Sequence, residues 1–336
     1  MEISTLLVGW GWSYDQLKAG WLEIEALGYD ACYMGDDLFP HYFDDDPANA
    51  QPEVEVYDPW TVLPLMAELT QRMRIGSLVT PCGRRHPGLF AKMTSIVDIV
   101  SQGRLSVGMG AGNSPDQTTA MGEPYLKSSE RVTKLEEEIK ILDSLWSKTR
   151  TSFKGQYYTV QDLVNCPKPV RPHRPELQIA FKSKKFLTRL AAEFADRVNL
   201  LGNEDDKVVA ALDALRQHCE DLNRNYDEIK KGRLSAILFT DKEVRPEDLD
   251  SVLEERAAQI DYDVDELKSE HKDFVLSYVG PVASCAKALR KRTIDIGVSE
   301  IVICPDTIGQ NSYERTMEGL RIFAKEVMPE MKEFQL

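Results

Sequence analysis

Short apolar runs recur along this chain, and each is followed by a stretch whose apolar residues have helical spacing. Thr5–Val8 precedes such a pattern around Gln16–Leu27. Ala31–Met34 precedes a long polar loop and then a pattern around Thr61–Leu69. Arg74–Val79 leads through a turn marked by Pro81, Gly83 and Pro87 into Leu89, Phe90, Met93, Ile96, Val97 and Val100, which follow helical spacing. Pro87 stands where helices favour starting and Gly103 where they favour stopping. Leu105–Met109 comes next, then Ser129–Trp146 with Val132, Leu135, Ile139, Leu142 and Leu145 on one face. Leu177–Phe181 leads into Phe186–Ala195, and Val198–Leu201 into Val208–Leu222. Leu234–Phe239 leads into an acidic helical region, and Glu300–Cys304 into Tyr313–Glu326.

Eight strand-like runs, each with a helix after it, predict an α/β fold of the (β/α)8 TIM-barrel type in preference to an open doubly wound sheet. The chain reads as one domain over 1–336. Two stretches break the repeat. Residues 148–176, after the fourth strand, hold FKGQYY and a run of prolines and suggest an insertion with a small hairpin. Residues 241–277, after the seventh strand, are highly charged and suggest helical excursions on one rim. No linker composition divides the chain and no short internal repeat is present.

In such barrels the chemistry lies on loops at the carboxyl ends of the strands. Trp10 and Trp12 follow the first strand, and Asp36, Asp37 and His41 the second. Ser77, Thr80, Arg84, Arg85 and His86 lie at or after the third, and Asn113, Asp116 and Gln117 after the fourth. Lys182, Ser183, Lys184 and Lys185 follow the fifth. In a barrel all of these rim one mouth. Asp36 and Asp37 suit general acid–base work or a metal, or else a helix cap or solvated loop. Gly110-Ala111-Gly112 lets backbone approach a flat ligand, or forms a tight turn; it is not a GxGxxG fingerprint. Phe181-Lys182-Ser183-Lys184 enters a helix and suits a phosphate, or a solvated turn. Trp10, Trp12 and Gln117 suit a substrate pocket, the tryptophans equally a core. His86, just before Pro87, is read as ordering the turn. There is no HExxH, HxxxH, GxSxG or CxxC, which argues against a zinc site, a zinc hydrolase and a serine hydrolase, and no metal is expected.

Composition narrows the partners. The net charge of −14 disfavours nucleic acid and anionic membrane. No apolar stretch approaches the ~20 residues of a membrane span, and the start lacks the pattern of a signal peptide. Six scattered cysteines predict reduced thiols in a cytoplasm.

Taken together, EALGYDACYMGDD (25–37), RIGSLVTP (74–81), RHPGLFAKMTSIVDIVSQGRLSVGMGAGN (85–113), ILDSLW (141–146), FKGQYY (153–158), PKPVRPHRPELQIA (167–180), RLAAEFADRVN (189–199) and YVGPVASCAKAL (278–289) resemble the bacterial-luciferase-like flavin and deazaflavin oxidoreductases. The resemblance implies a (β/α)8 barrel whose mouth binds the deazaflavin coenzyme F420 or FMN. SLVTP and GAGN look most like the F420-dependent branch. In that branch the residue matching Ser77 often precedes a non-proline cis peptide that bulges toward the back of the ring. Leu78, Thr80, Gly110–Asn113 and the turn at 181–184 match positions near the cofactor. Asp36 matches a position near the hydride-accepting carbon, and Asp37 stands where the family usually has histidine. The implied activity is hydride transfer between F420 and a small organic substrate, with Asp36, Asp37, His41 and Asn113 as candidate polar contacts. An FMN-dependent monooxygenase and a non-catalytic flavin-binding homologue remain as alternatives. Family members are commonly homodimers.

Overall fold

The computed structural model describes residues 1–39, 54–170, 174–182, 185–202, 204–244, 248–252, 254, 276–305 and 312–333. Eight parallel strands close into a ring: β1 (Glu2–Leu7), β2 (Ala31–Met34), β3 (Arg74–Ser77), β4 (Leu105–Gly110), β5 (Glu176–Phe181), β6 (Arg197–Leu200), β7 (Lys230–Phe239) and β8 (Glu300–Pro305). Each pairs with the next, and β8 pairs with β1 to complete the barrel. All eight expected runs are strands. β1 and β7 begin earlier than their apolar runs do, because Glu2 pairs with Glu300 and Lys230 with Arg197 at the base. Charged residues there hide the strand starts from an apolar pattern.

The outer helices are α1 (Tyr14–Ala26), α2 (Pro59–Leu69), α3 (Pro87–Val100), α4 (Ser128–Ser147), α5 (Lys185–Phe194), α6 (Asp205–Asp221), α7 (Val282–Arg292) and α8 (Tyr313–Ile322). His86 is the N-cap of α3: its Nδ1 accepts from the N–H of Gly88 at 3.1 Å, ahead of Pro87 in the first turn. Helix is present within the acidic stretch, at 249–252 and 254, and α7 follows the stretch. α7 is preceded by a short strand, Leu276–Gly280, that runs parallel to the upper half of β7. Most of 241–277 lies outside the described residues. Among the described residues no helix is long and apolar enough to cross a membrane.

The 148–176 stretch does hold a hairpin, Thr151–Lys154 against Thr159–Leu163. One carboxylate of α4 fastens it. Glu137 accepts the backbone N–H of Gln156 at 2.6 Å, Tyr157 at 2.9 Å and Tyr158 at 3.0 Å. A Cβ on Gly155 would lie 2.4 Å from that carboxylate, which explains the glycine in FKGQYY.

Alternation along the strands separates two cores. On β5, Leu177, Ile179 and Phe181 join the layer under the helices, whereas Ala180 joins the barrel interior. The interior cluster comprises Leu6, Ala31, Tyr33, Leu78, Ala180, Leu234, Ala236, Leu238, Val302 and Cys304. Beneath it, at the amino ends of the strands, two guanidiniums and three carboxylates plug the base. Arg197 meets Glu300 at 2.6 Å, Glu2 at 3.0 Å and Glu176 at 3.1 Å. Arg74 meets both Glu2 and Glu300 at 2.9 Å. A buried ionic network offsets much of its Coulomb gain with desolvation, so its main effect is to fix which groups meet.

Candidate functional site

The mouth is built where β2, β3 and β4 end. β3 does not run straight. Gly76 pairs with Ser106 and Thr80 with Met109, so β3 carries one residue more than β4 over this interval. Such a bulge re-aims the strand, a common device beside active sites. The Leu78–Val79 peptide within it is cis, so a non-proline cis bond does follow Ser77. Leu78 and Val79 turn into the barrel interior. Gly108 allows the close approach: a Cβ there would lie 1.9 Å from the carbonyl of Ser77.

The hydroxyls of this segment are used within the wall. Trp60 Nε1 donates to Thr80 Oγ1 at 2.8 Å, Thr80 Oγ1 contacts Ser77 Oγ at 3.2 Å, and Ser77 donates to the carbonyl of Gly108 at 3.0 Å. Trp60 stands edge-on to Phe90, 4.7 Å between ring centres. Of the segment, Leu78 and Val79 rather than Ser77 and Thr80 offer side chains to the interior.

Asp36, just past β2, is 2% exposed. Arg85 Nη1 donates to its Oδ2 at 2.6 Å and Arg85 Nη2 to its Oδ1 at 3.2 Å. Arg85 also donates to Asp58 Oδ2 at 2.5 Å, while Asp58 Oδ1 caps α2 by accepting from Thr61. Burial pushes the Asp36 carboxyl above the usual carboxylate range, opposed by Arg85 and by a hydrogen bond with Thr80. Both oxygens of Asp36 are thus engaged by the wall.

Asp37 is half-buried at the rim. Gly35 makes room for it, since a Cβ there would lie 2.9 Å from Asp37 Oδ2. Gln117 Nε2 lies 3.4 Å from Asp37 Oδ1 and donates to the carbonyl of Phe39 at 2.8 Å. Gln117 Oε1 accepts from Leu38 N at 3.2 Å and from Arg84 Nη2 at 2.7 Å. The buried amide of Gln117 therefore ties down the loop after β2, a different task from the pocket lining suggested by its position in sequence.

The GAGN loop is held from outside. Cys82 N donates to the carbonyl of Gly110 at 2.8 Å. Arg131 Nε donates to the carbonyls of Ala111 at 3.2 Å and Gly112 at 3.1 Å. Gly112 has φ of +79°, a conformation that favours glycine. A Cβ on Gly110 would lie 2.9 Å from Val79 Cγ2, so the bulge packs against bare backbone. Asn113 is exposed at the loop's end.

Two expected site residues sit elsewhere. Trp12 is 1% exposed and stands edge-on to Tyr313, 5.0 Å between ring centres, in the helix–sheet core instead of at a pocket wall. Trp10 is half-buried. Phe181 faces the helices because its strand parity is that of Leu177 and Ile179. Lys182 is exposed, whereas Ser183, Lys184 and His41 lie outside the described residues.

The candidates drawn from sequence omitted Arg85 as a clamp, Asp58, Trp60 and, behind the turn, Glu138. Glu138 is fully buried on α4. Its Oε2 accepts from Gly83 N at 2.9 Å and from Tyr158 OH at 3.3 Å. The signal was present: Glu138 falls three residues after Leu135 and four before Leu142, on the apolar face of its helix.

The chain matches the family model described as luciferase-like monooxygenase over residues 11–298. It is 30% identical over 199 residues to an F420-dependent glucose-6-phosphate dehydrogenase of Microbacterium testaceum (strain StLB037), covering 56% of this chain and 54% of that one. It is 27% identical over 201 residues to an FMNH(2)-dependent dimethylsulfone monooxygenase of Pseudomonas putida, covering 60% and 53%. The matched segments thus span about half the length of these curated relatives. Its fold superposes on an F420-dependent secondary alcohol dehydrogenase in complex with an F420-acetone adduct, with TM-score 0.78, 16% identity and 98% of each chain covered.

Proposed function

The chain belongs to the luciferase-like monooxygenase family, and from that premise we propose that it is an oxidoreductase using coenzyme F420 on a small organic substrate at the carboxyl end of the barrel. The observation that carries this reading is the division of labour between the two aspartates after β2. Asp36 is buried and engaged by Arg85, which leaves Asp37 as the half-buried carboxylate at the rim.

The residues present fit a flat tricyclic ring. Leu78, Val79 and Ala180 supply an apolar floor. Gly110 and Gly112 offer backbone without side chains, in a loop that Arg131 and Cys82 hold in place. The bound deazaflavin would supply hydride chemistry. The chain's own residues bind, orient and handle protons. The bulge at 78–79 sets the floor. Asp36 and Arg85 lock the end of β2. Asp37 gives a proton to, or takes one from, the substrate oxygen, at the position where the family usually has histidine. Lys182, just past β5, would hold the cofactor's anionic tail.

The preference for F420 rests on the SLVTP and GAGN segments and on relatives such as the glucose-6-phosphate dehydrogenase. Similarity to the dimethylsulfone monooxygenase supports reduced FMN as the second reading. Titration with F420 and with FMN, followed by cofactor turnover and oxygen uptake over a panel of alcohols, aldehydes and ketones, separates them. F420 binding with oxygen-independent turnover supports the proposal. FMN binding with oxygen consumption overturns it.

A further inference from the structure

The turn that carries Arg85 is anchored by a buried residue of the outer helix α4. Gly83 donates its N–H to Glu138, and two residues later Arg85 grips Asp36. Glu138 also receives the hydroxyl of Tyr158, from the hairpin that the adjacent Glu137 fastens to α4. One buried carboxylate thus joins α4, the hairpin and the turn after β3. We propose that Glu138 is a positioning residue for the mouth, whose ionised form tightens the turn at 82–85 and so the Arg85 clamp, and whose protonation loosens it.

The groups facing Glu138 are few. Among the described residues the turn contributes the Cys82 thiol and Arg85, α4 contributes Lys134 and the hairpin contributes Tyr158; Arg131 stands beside Cys82, and Glu137 and His86 stand beside Tyr158. Burial pushes the Glu138 carboxyl up to about 7, opposed by the Gly83 and Tyr158 hydrogen bonds and by Lys134 and Arg85. Charge-assisted hydrogen bonds are shorter and stronger than neutral ones, so gaining a proton weakens the hold on Gly83 without altering the packing. Glu138 touches neither a substrate nor a cofactor position; it acts through Arg85.

Amide hydrogen exchange of the segment 82–86 tests this without any cofactor. Protection factors, corrected for the intrinsic pH dependence, are compared from pH 6 to pH 8. In the wild type, protection should rise severalfold as pH passes through about 7. In Glu138→Gln it should be flat and match the low-pH wild type, and in Tyr158→Phe the step should persist with smaller size. Identical profiles in wild type and Glu138→Gln overturn the proposal. Should Glu138→Gln fail to fold, a carbon-13 carboxyl titration of Glu138 in the wild type decides. A midpoint near 7 supports the proposal and an ordinary carboxylate midpoint overturns it. A second readout, fluorescence titration with F420 and FMN, rests on the reading of the mouth as a cofactor site. Binding of neither would sink that reading while exchange still tests Glu138.

Discussion

Arg85 holds Asp36 in a two-point grip, at 2.6 and 3.2 Å, while a single carboxylate oxygen of Asp58 meets the same guanidinium from the other side. The end of β2, the turn after β3 and the start of α2 therefore share one cation. Because Asp36 is almost fully buried, the grip has consequences for stability as well as for the shape of the mouth.

Removing the cation while leaving the acid is the damaging change. Arg85→Met should destabilise the fold by about 3–5 kcal/mol, the cost of stranding a buried charge. Asp36→Asn combined with Arg85→Met should cost clearly less than the two single changes added together. Urea unfolding of the three variants measures both effects, and strict additivity would contradict the coupling.

Asp37 should behave in the opposite way. Asp37→Asn is expected to leave unfolding and cofactor affinity near wild type while lowering turnover by about 10²–10⁴-fold, the usual range for a lost proton donor or acceptor. Asp37→His should recover part of that loss. A kcat unchanged in Asp37→Asn would remove Asp37 from the proton-transfer step.

Gly155→Ala tests the fastening of the hairpin. The added methyl would lie 2.4 Å from the Glu137 carboxylate that collects three backbone N–H groups. Moving that carboxylate exposes or strands several hydrogen bonds, so a loss of about 1–3 kcal/mol is expected. Calorimetry gives the shift in Tm, and limited proteolysis within 151–163 should quicken with it.

The base of the barrel predicts an acid limit. Burial alone would raise the carboxyls of Glu2 and Glu176, but Arg197 and Arg74 outweigh it and hold both below 4.5. A carboxyl lowered on folding contributes stability that is present above its unfolded value and lost as pH falls through its folded one. Stability should therefore fall as pH drops below about 4.5. Glu176→Gln should flatten part of that fall when unfolding is followed at fixed urea from pH 6 to pH 3.

Periodicity made the barrel legible before any coordinates. The runs at 31–34, 105–109 and 177–181 coincide with strands because buried parallel strands are nearly continuous in apolar residues. Parity along β5 is legible as well: Leu177, Ile179 and Phe181 share a face, which puts Phe181 under the helices. Other facts are tertiary. Arg84 and Arg85 are indistinguishable as neighbours in sequence, yet one grips Asp36 and the other Gln117. Trp12 reads equally as pocket wall or core in sequence, because its partner, Tyr313, is some 300 residues away. Glu138 is marked by its place on an apolar helix face, but its partners, a backbone N–H and a hydroxyl, are tertiary and no charge pattern reveals them.

The paired glutamates of α4 also bear on how this part of the chain tolerates remodelling. Glu137 and Glu138 are adjacent, yet one holds the hairpin's backbone and the other joins its tyrosine to the turn after β3. A hairpin whose tip hangs on two side chains can have that tip treated as a cassette. A replacement of different length or tip should seat if it keeps a glycine-led turn with three free N–H groups and a tyrosine after it. Deleting a single residue of α4 upstream of the pair would turn both glutamates by ~100° relative to the helix start and unhook hairpin and mouth together. Recombination between relatives should therefore place its crossovers outside 137–158.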